Sequence, residues 1–150
     1  MSDQFPKITN FSELNLENTK ITFVVSKFNE NIVSKLLDST EKRLLEIGLN
    51  KKNIHKLYVP GAFEIPFAVK KSMNKFDQDA IICLGAIIRG ETSHYELISN
   101  NTFSSLANLN ISSKIPIING ILTTENINQA EKRIANGKYY ADTCIEMIGL

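Results

Sequence analysis

AIICLGAIIRGETSHYEL, residues 80–97, passes from an unbroken apolar run into a short polar turn. From Ala80 to Ile88 every residue is apolar apart from Gly85. A continuous apolar run of that length, rich in isoleucine, predicts a strand buried on both faces, as in parallel sheets. The chain then turns polar through Arg89, Gly90, Glu91, Thr92, Ser93 and His94. Ser93-His94-Tyr95-Glu96 fits a capping box, with Ser93 as N-cap and Glu96 reaching back to a free backbone N–H. Strand, glycine turn and helix start follow one another here, and open α/β folds bind ligands at such places. An arginine, a glycine and a histidine crowded into the turn mark a candidate active site.

Working outward, Ile21 to Ser26 predicts a β-branched, buried first strand, followed by Lys27-Phe28-Asn29-Glu30. A helix from about Asn31 to Ile47 follows from the spacing of Ile32, Val33, Leu36, Leu37, Leu44 and Leu45, with Gly48 as its stop. Ile54 to Val59 reads as a second strand, with His55 a surface residue on it and Pro60-Gly61 breaking it. Ala62-Phe63-Glu64-Ile65-Pro66 opens a helix ending near Asn74, and Pro66 is tolerated in its first turn. The helix after the central strand extends to about Asn110. Pro116 to Leu122 predicts a fourth strand, and Thr123-Thr124-Glu125-Asn126, rich in capping residues, opens a helix towards Ile134. Asn136-Gly137 predicts a turn before a last helix, Tyr139 to Ile148. Met1 to Lys20 is polar and reads as an N-terminal arm, either loose or paired with an edge strand of its own or a neighbouring subunit.

This order predicts an α/β fold: a three-layer α/β/α sandwich around a four-stranded parallel sheet, one domain over residues 1–150. A chain of 150 residues buries roughly 68–70% of its unfolded surface. The net charge of +1 gives no electrostatic footprint for nucleic acid or an anionic membrane. No segment reaches the length of a membrane span, and Met1–Asn10 lacks an apolar signal core. Cys83 and Cys144 lie in apolar settings without metal-ligand spacing, which reads as free thiols in a reducing cytoplasm. No cluster supports a metal site.

In a parallel sheet the strand ends open on one edge, so the polar and aromatic groups that follow each strand converge. They are Phe28 and Asn29, Gly61 to Glu64, Arg89 to His94, and Thr123 to Glu125. Capping accounts for Asn29, Ser93, Thr124 and Glu125. It does not account for Phe28, Phe63 or a histidine in a first turn. A helix N-terminus disfavours an imidazolium, which points to a neutral His94 able to exchange protons. Phe28 offers a face for stacking, and Gly90 with the N–H groups of Glu91 to Ser93 offers a phosphate cradle. The Glu91 carboxylate must then point away. The ligand expected is aromatic and anionic. Neither GxGxxG nor a Walker sequence is present, which argues against a dinucleotide or a nucleoside triphosphate.

Four segments carry a resemblance: Lys27-Phe28-Asn29; Val59-Pro60-Gly61-Ala62-Phe63-Glu64-Ile65-Pro66; Leu84 to Tyr95; and Gly120-Ile121-Leu122-Thr123-Thr124-Glu125-Asn126. In order and spacing, over about residues 21–134, they resemble the successive motifs of the lumazine synthases, a flavodoxin-like family of riboflavin biosynthesis. The resemblance implies condensation of 5-amino-6-(D-ribitylamino)uracil with 3,4-dihydroxy-2-butanone 4-phosphate to 6,7-dimethyl-8-ribityllumazine, phosphate and water, without a cofactor. It implies that Phe28 stacks on the pyrimidine, and that Asn29, Ala62, Phe63 and Glu64 line the ring and ribityl pocket, Glu64 bonding ribityl hydroxyls. Ile87 and Ile88 would give backbone contacts to the heterocycle, while Gly90, Glu91 and Thr92 hold phosphate and His94 moves protons. Arg133 matches a phosphate-binding arginine that reaches into the adjacent subunit's site.

Two departures stand out. Asn119 occupies a pocket position where many members carry an aromatic, which makes that wall more polar. After Arg133 the link Ile134-Ala135-Asn136-Gly137-Lys138-Tyr139 is shorter than the family's and differently ordered, with Lys138 as the candidate second cation. Family members assemble as homopentamers, some of them packed into icosahedral shells, with riboflavin synthase a candidate partner. The rival expectation is a non-catalytic flavodoxin-like module that binds riboflavin or a phosphorylated metabolite. A receiver domain would need an aspartate near the end of the central strand, where Arg89 stands.

Overall fold

The computed structural model describes residues 5–6 and 15–150. Pairing of the N-terminal arm with an edge strand concerns residues 1–20, most of which lie outside the described residues. Of that segment, Phe5 stacks on Tyr139 at 4.1 Å between ring centroids, and Leu16 packs against the core.

Four strands form one parallel sheet: β1 (Ile21–Ser26), β2 (Ile54–Val59), β3 (Ala80–Ile88) and β4 (Ile117–Thr124), in the order β2-β1-β3-β4. Five helices accompany them: α1 (Glu30–Ile47), α2 (Ile65–Lys75), α3 (His94–Ser112), α4 (Ile127–Lys132) and α5 (Gly137–Ile148). β3 is buried along its length up to Ile87. The side-chain alternation of a strand divides the core in two. Phe23, Val25, Ile82, Leu84 and Ala86 face α1 and α5, whereas Val24, Ile81, Cys83 and Ile87 face α2 and α3. The result is the three-layer α/β/α sandwich.

Several local expectations need correction. Ser93 is the N-cap of α3, but its side chain makes no capping bond, and Glu96 pairs with Arg89 instead of reaching back to the backbone. A charge-assisted pair outweighs a neutral-donor cap at a partly exposed helix start. Nor do Thr124 and Glu125 cap α4. Asn126 does so, its side chain accepting from the Gln129 N–H at 2.9 Å. β4 runs on to Thr124 because Thr123 and Thr124 pair in register with Ile87 and Ile88. The turn expected at Asn136-Gly137 is the end of a single 3₁₀ turn, Ile134–Asn136, that runs directly into α5. Gly137 is helical there. Its role is close approach, since a Cβ would stand 2.8 Å from the side chains of Ser39 and Thr40 in α1. An ion pair from Arg43 Nε to Asp142 Oδ1 at 2.6 Å joins the same two helices.

Among the described residues no helix is long and apolar enough to cross a membrane. Cys83 and Cys144 are free and buried, and burial pushes both thiols well above the usual cysteine range.

Candidate active site

β1 and β3 are neighbours at the centre of the sheet, yet the chain leaves them in opposite directions, towards β2 and towards β4. Strand order reverses between them, and a crevice opens at their carboxyl ends. A cleft of about 480 Å³ occupies this place.

The segment after β1 supplies one wall. The Lys27 and Phe28 N–H groups donate to the carbonyl oxygens of Val59 and Pro60 at 2.8 and 3.0 Å, extending the β1–β2 ladder beyond the strands. The backbone of Phe28 is thereby fixed while its ring stays 71% exposed. An apolar ring held out in this way offers a bare π-face. Asn29 follows with φ of 58°, the left-handed region that few non-glycine residues adopt. Its amide donates to the Ala86 carbonyl oxygen at 2.8 Å, so it ties the end of β1 to β3 and does not cap α1.

The segment after β2 supplies the opposite wall. A 3₁₀ turn, Ala62–Glu64, buries Ala62 and turns Phe63 outward. The Glu64 carboxylate accepts from the Gly61 N–H at 3.0 Å through one oxygen, which leaves the other for a ligand. Ala86, Ile87 and Ile88 form the floor, and Gly90, Thr92, His94, Tyr95 and Ile98 rise from the β3–α3 junction. A Cβ on Gly90 would meet nothing within 4 Å. The chain's own packing makes no demand for glycine there, and the bare backbone leaves room for an anion to approach. Thr92 Oγ1 accepts from the His94 N–H at 3.2 Å, and His94 stands exposed at the first position of α3.

Phe28, Asn29, Ala62, Phe63, Glu64, Ile87, Ile88, Gly90, Thr92 and His94 therefore line one cleft. Four further candidates are placed elsewhere. Glu91 is exposed beside the cleft without lining it. Asn119 is an exposed residue of the edge strand β4, opposite Cys83 and well below the strand ends. Arg133 ends α4, with a guanidinium N–H donating to the Gln129 carbonyl oxygen at 3.0 Å. Lys138 is exposed in the first turn of α5. Tyr95 and Ile98 line the cleft without having been singled out. Ile98 stands four residues after His94 and three after Tyr95, helical spacings that set it beside both.

Arg89, prominent in the sequence, is engaged elsewhere. Its guanidinium pairs with Glu96 and Glu125 and lies over the Tyr95 ring, 4.4 Å from its centroid. Among the described residues no three His, Cys, Asp or Glu side chains are grouped to hold a metal ion.

The arrangement suits a planar ring between Phe28 and Ile87–Ile88, hydroxyl groups at Glu64, an anion at Gly90–Thr92 and proton exchange at His94. Comparison with known proteins shows the family. Residues 18–150 match the family described as 6,7-dimethyl-8-ribityllumazine synthase. A relative of that name from Limosilactobacillus reuteri (strain DSM 20016) is 42% identical over 143 residues, covering 92% of this chain and 93% of the relative.

Proposed function

The chain belongs to the 6,7-dimethyl-8-ribityllumazine synthase family, and from that premise we propose how its cleft performs the family's reaction. It is a riboflavin-biosynthesis enzyme, a transferase, that condenses 5-amino-6-(D-ribitylamino)uracil with 3,4-dihydroxy-2-butanone 4-phosphate. Two amine–carbonyl condensations each release water, and one elimination releases phosphate. The chemistry asks for no redox change, since amines, carbonyls and a leaving phosphate account for every bond made and broken.

The observation that carries the assignment of roles is the meeting of an exposed aromatic face, Phe28, with the open Gly90–His94 turn in one cleft. Phe28 stacks on the pyrimidine, and the free oxygen of Glu64 accepts from ribityl hydroxyls. Backbone N–H groups of Gly90 to Thr92, with the Thr92 hydroxyl, hold the phosphate against the start of α3. The Glu91 side chain stays outside the cleft. His94 takes and returns protons as the carbinolamine loses water and as phosphate departs. Most of the acceleration comes from holding amine and ketone together, the entropic advantage of an intramolecular encounter.

Arg133, Lys138 and Asn119 do not line the chain's own cleft, which supports a role for them in the cleft of a neighbouring subunit. Arg133 and Lys138 there supply positive charge to the phosphate, and Asn119 supplies a polar wall. The assembly this calls for is a homopentamer with sites between subunits, acting in the cytoplasm. The two reduced, buried thiols support that location.

The test is direct. Purified protein given both substrates is expected to form the fluorescent lumazine with stoichiometric phosphate release. Riboflavin binding without turnover would establish the non-catalytic module instead.

A further inference from the structure

Arg89 follows directly on β3. Its Nε lies 2.6 Å from Oε2 of Glu125, on the link from β4 to α4. One of its terminal nitrogens bonds Oε1 of Glu96, in the first turn of α3. Its backbone N–H donates to the Thr124 carbonyl oxygen at 2.9 Å. One residue thus ties together three segments: the end of β3 and the start of α3, both of which line the cleft, and the link after β4. The turn between the two ends of this clamp is Gly90 to Tyr95.

An arginine next to an anion-binding turn is ordinarily read as the anion's ligand. Here the Nε and one terminal nitrogen of the guanidinium are each engaged by a carboxylate, and Tyr95 covers a face. The second Glu96 oxygen, Oε2, is buried without a hydrogen-bond partner among the described residues. If Arg89 swung to a phosphate, Glu96 and Glu125 would be left uncompensated beside the arriving anion, a costly exchange. The Arg89 guanidinium also holds the Glu96 carboxyl below the usual glutamate range, so the pair stays ionised at neutral pH.

We propose that Arg89 is a positioning residue: its double ion pair fixes the Gly90–His94 turn in the shape that receives the substrate phosphate, and the guanidinium itself does not touch the substrate. This rests on the reading of that turn as the phosphate site. A lysine replaces it only in part, because an ammonium lacks the rigid planar fork that holds two carboxylates in fixed positions.

The test combines calorimetric titration with inorganic phosphate, steady-state kinetics and backbone amide exchange on the intact assembly. Arg89→Gln is expected to weaken phosphate binding roughly ten- to a hundredfold, the scale of a slightly misplaced group. KM for the phosphorylated substrate should rise with it, while KM for the pyrimidine stays within about twofold. Amide exchange should quicken at Leu97 and Ile98, in the first turns of α3, and stay unchanged around Leu106. Arg89→Lys should restore phosphate binding only in part.

Weaker phosphate binding with unchanged exchange at Leu97 and Ile98 would make Arg89 a ligand and overturn the proposal. So would full rescue by lysine, faster exchange along all of α3, or unchanged phosphate binding. Should Arg89→Gln fail to fold, Glu125→Gln reads the same clamp through its more exposed half. Weaker phosphate binding is then expected, whereas tighter binding, the mark of a freed ligand, overturns it. Failure of the wild type to form lumazine would instead refute the parent reading, and the exchange pattern would still decide whether the clamp exists.

Discussion

The side-chain amide of Asn29 donates a 2.8 Å hydrogen bond to the Ala86 carbonyl oxygen, joining the end of β1 to β3 across the crevice where strand order reverses. To do so Asn29 holds φ at 58° and ψ at 44°. Asparagine is among the few non-glycine residues that visit this region. The strained residue and the proposed ring pocket coincide, as strain and binding sites often do.

Asn29→Ala should therefore destabilise the protein by about 1.5–3.5 kcal/mol, the sum of a left-handed penalty and a lost hydrogen bond. Asn29→Gly removes only the bond and should cost about 0.5–1.5 kcal/mol. Urea denaturation at constant m-value measures both. If glycine costs more than alanine, backbone strain is not what Asn29 relieves.

Phe28 presents its ring to solvent, so its removal should leave stability almost untouched. Phe28→Ala should weaken the pyrimidine substrate by about 1–3 kcal/mol, the scale of base stacking on an aromatic. Phe28→Tyr keeps the π-face and should retain most of the affinity. Thermal melting and pyrimidine titration on the same variants distinguish a stacking platform from a core residue. A sharp fall in Tm that Tyr does not reverse would establish the core role.

His94→Ala should lower kcat by about a hundredfold or less, the low end for a general acid–base group, because amine–ketone condensation is facile once the partners are held. The affinity for the pyrimidine and the assembly state should not change. An unaltered kcat at saturating substrates would reduce His94 to a positioning residue and leave solvent or substrate groups to move the protons.

Arg133 does not line its own chain's cleft. If it serves a neighbour, Arg133→Ala should raise KM for the phosphorylated substrate by roughly ten- to a hundredfold, with little change for the pyrimidine. Mixing that variant with Phe28→Ala should recover activity after subunit exchange, since one kind of mixed interface carries both intact residues. Demonstrated exchange without recovery would remove the shared site.

The Arg89–Glu96 pair predicts a pH effect of definite sign. The hydrogen bond from Arg89 lowers the Glu96 pKa from its ordinary 4.5. A carboxyl lowered on folding contributes stability that is complete above its unfolded value and is lost as pH falls through the folded one. Stability followed by urea from about pH 7 to about pH 3 should fall more gently in Glu96→Gln than in wild type across the acid limb. Parallel curves for the two proteins would show that the pair contributes nothing to folding.

Much of the architecture was legible because its signals are local. A strand covered on both faces must be apolar at every position, so Ala80–Ile88 declares itself without reference to the rest of the chain. The alternation of such strands with helical spacing then dictates a parallel sheet, and a parallel sheet gathers its strand ends on one edge. That is why Phe28, Phe63, Glu64, Gly90 and His94 could be placed in one cleft from sequence.

What the tertiary structure alone decided were choices between partners that sequence rules cannot rank. Ser93 and Glu96 obey the spacing of a capping box, but Arg89 captures Glu96, because a charged donor outcompetes a backbone N–H and Glu125 holds the guanidinium within reach. Asn29 satisfies the rule for a helix cap, yet it bonds a carbonyl 57 residues along the chain. Gly137 looks like a turn and is helical, and it is a glycine because Ser39 and Thr40, nearly a hundred positions earlier, leave no room for a Cβ. The residues were all in view. Which of them meet depends on packing between distant segments, and that is settled only when the chain has folded.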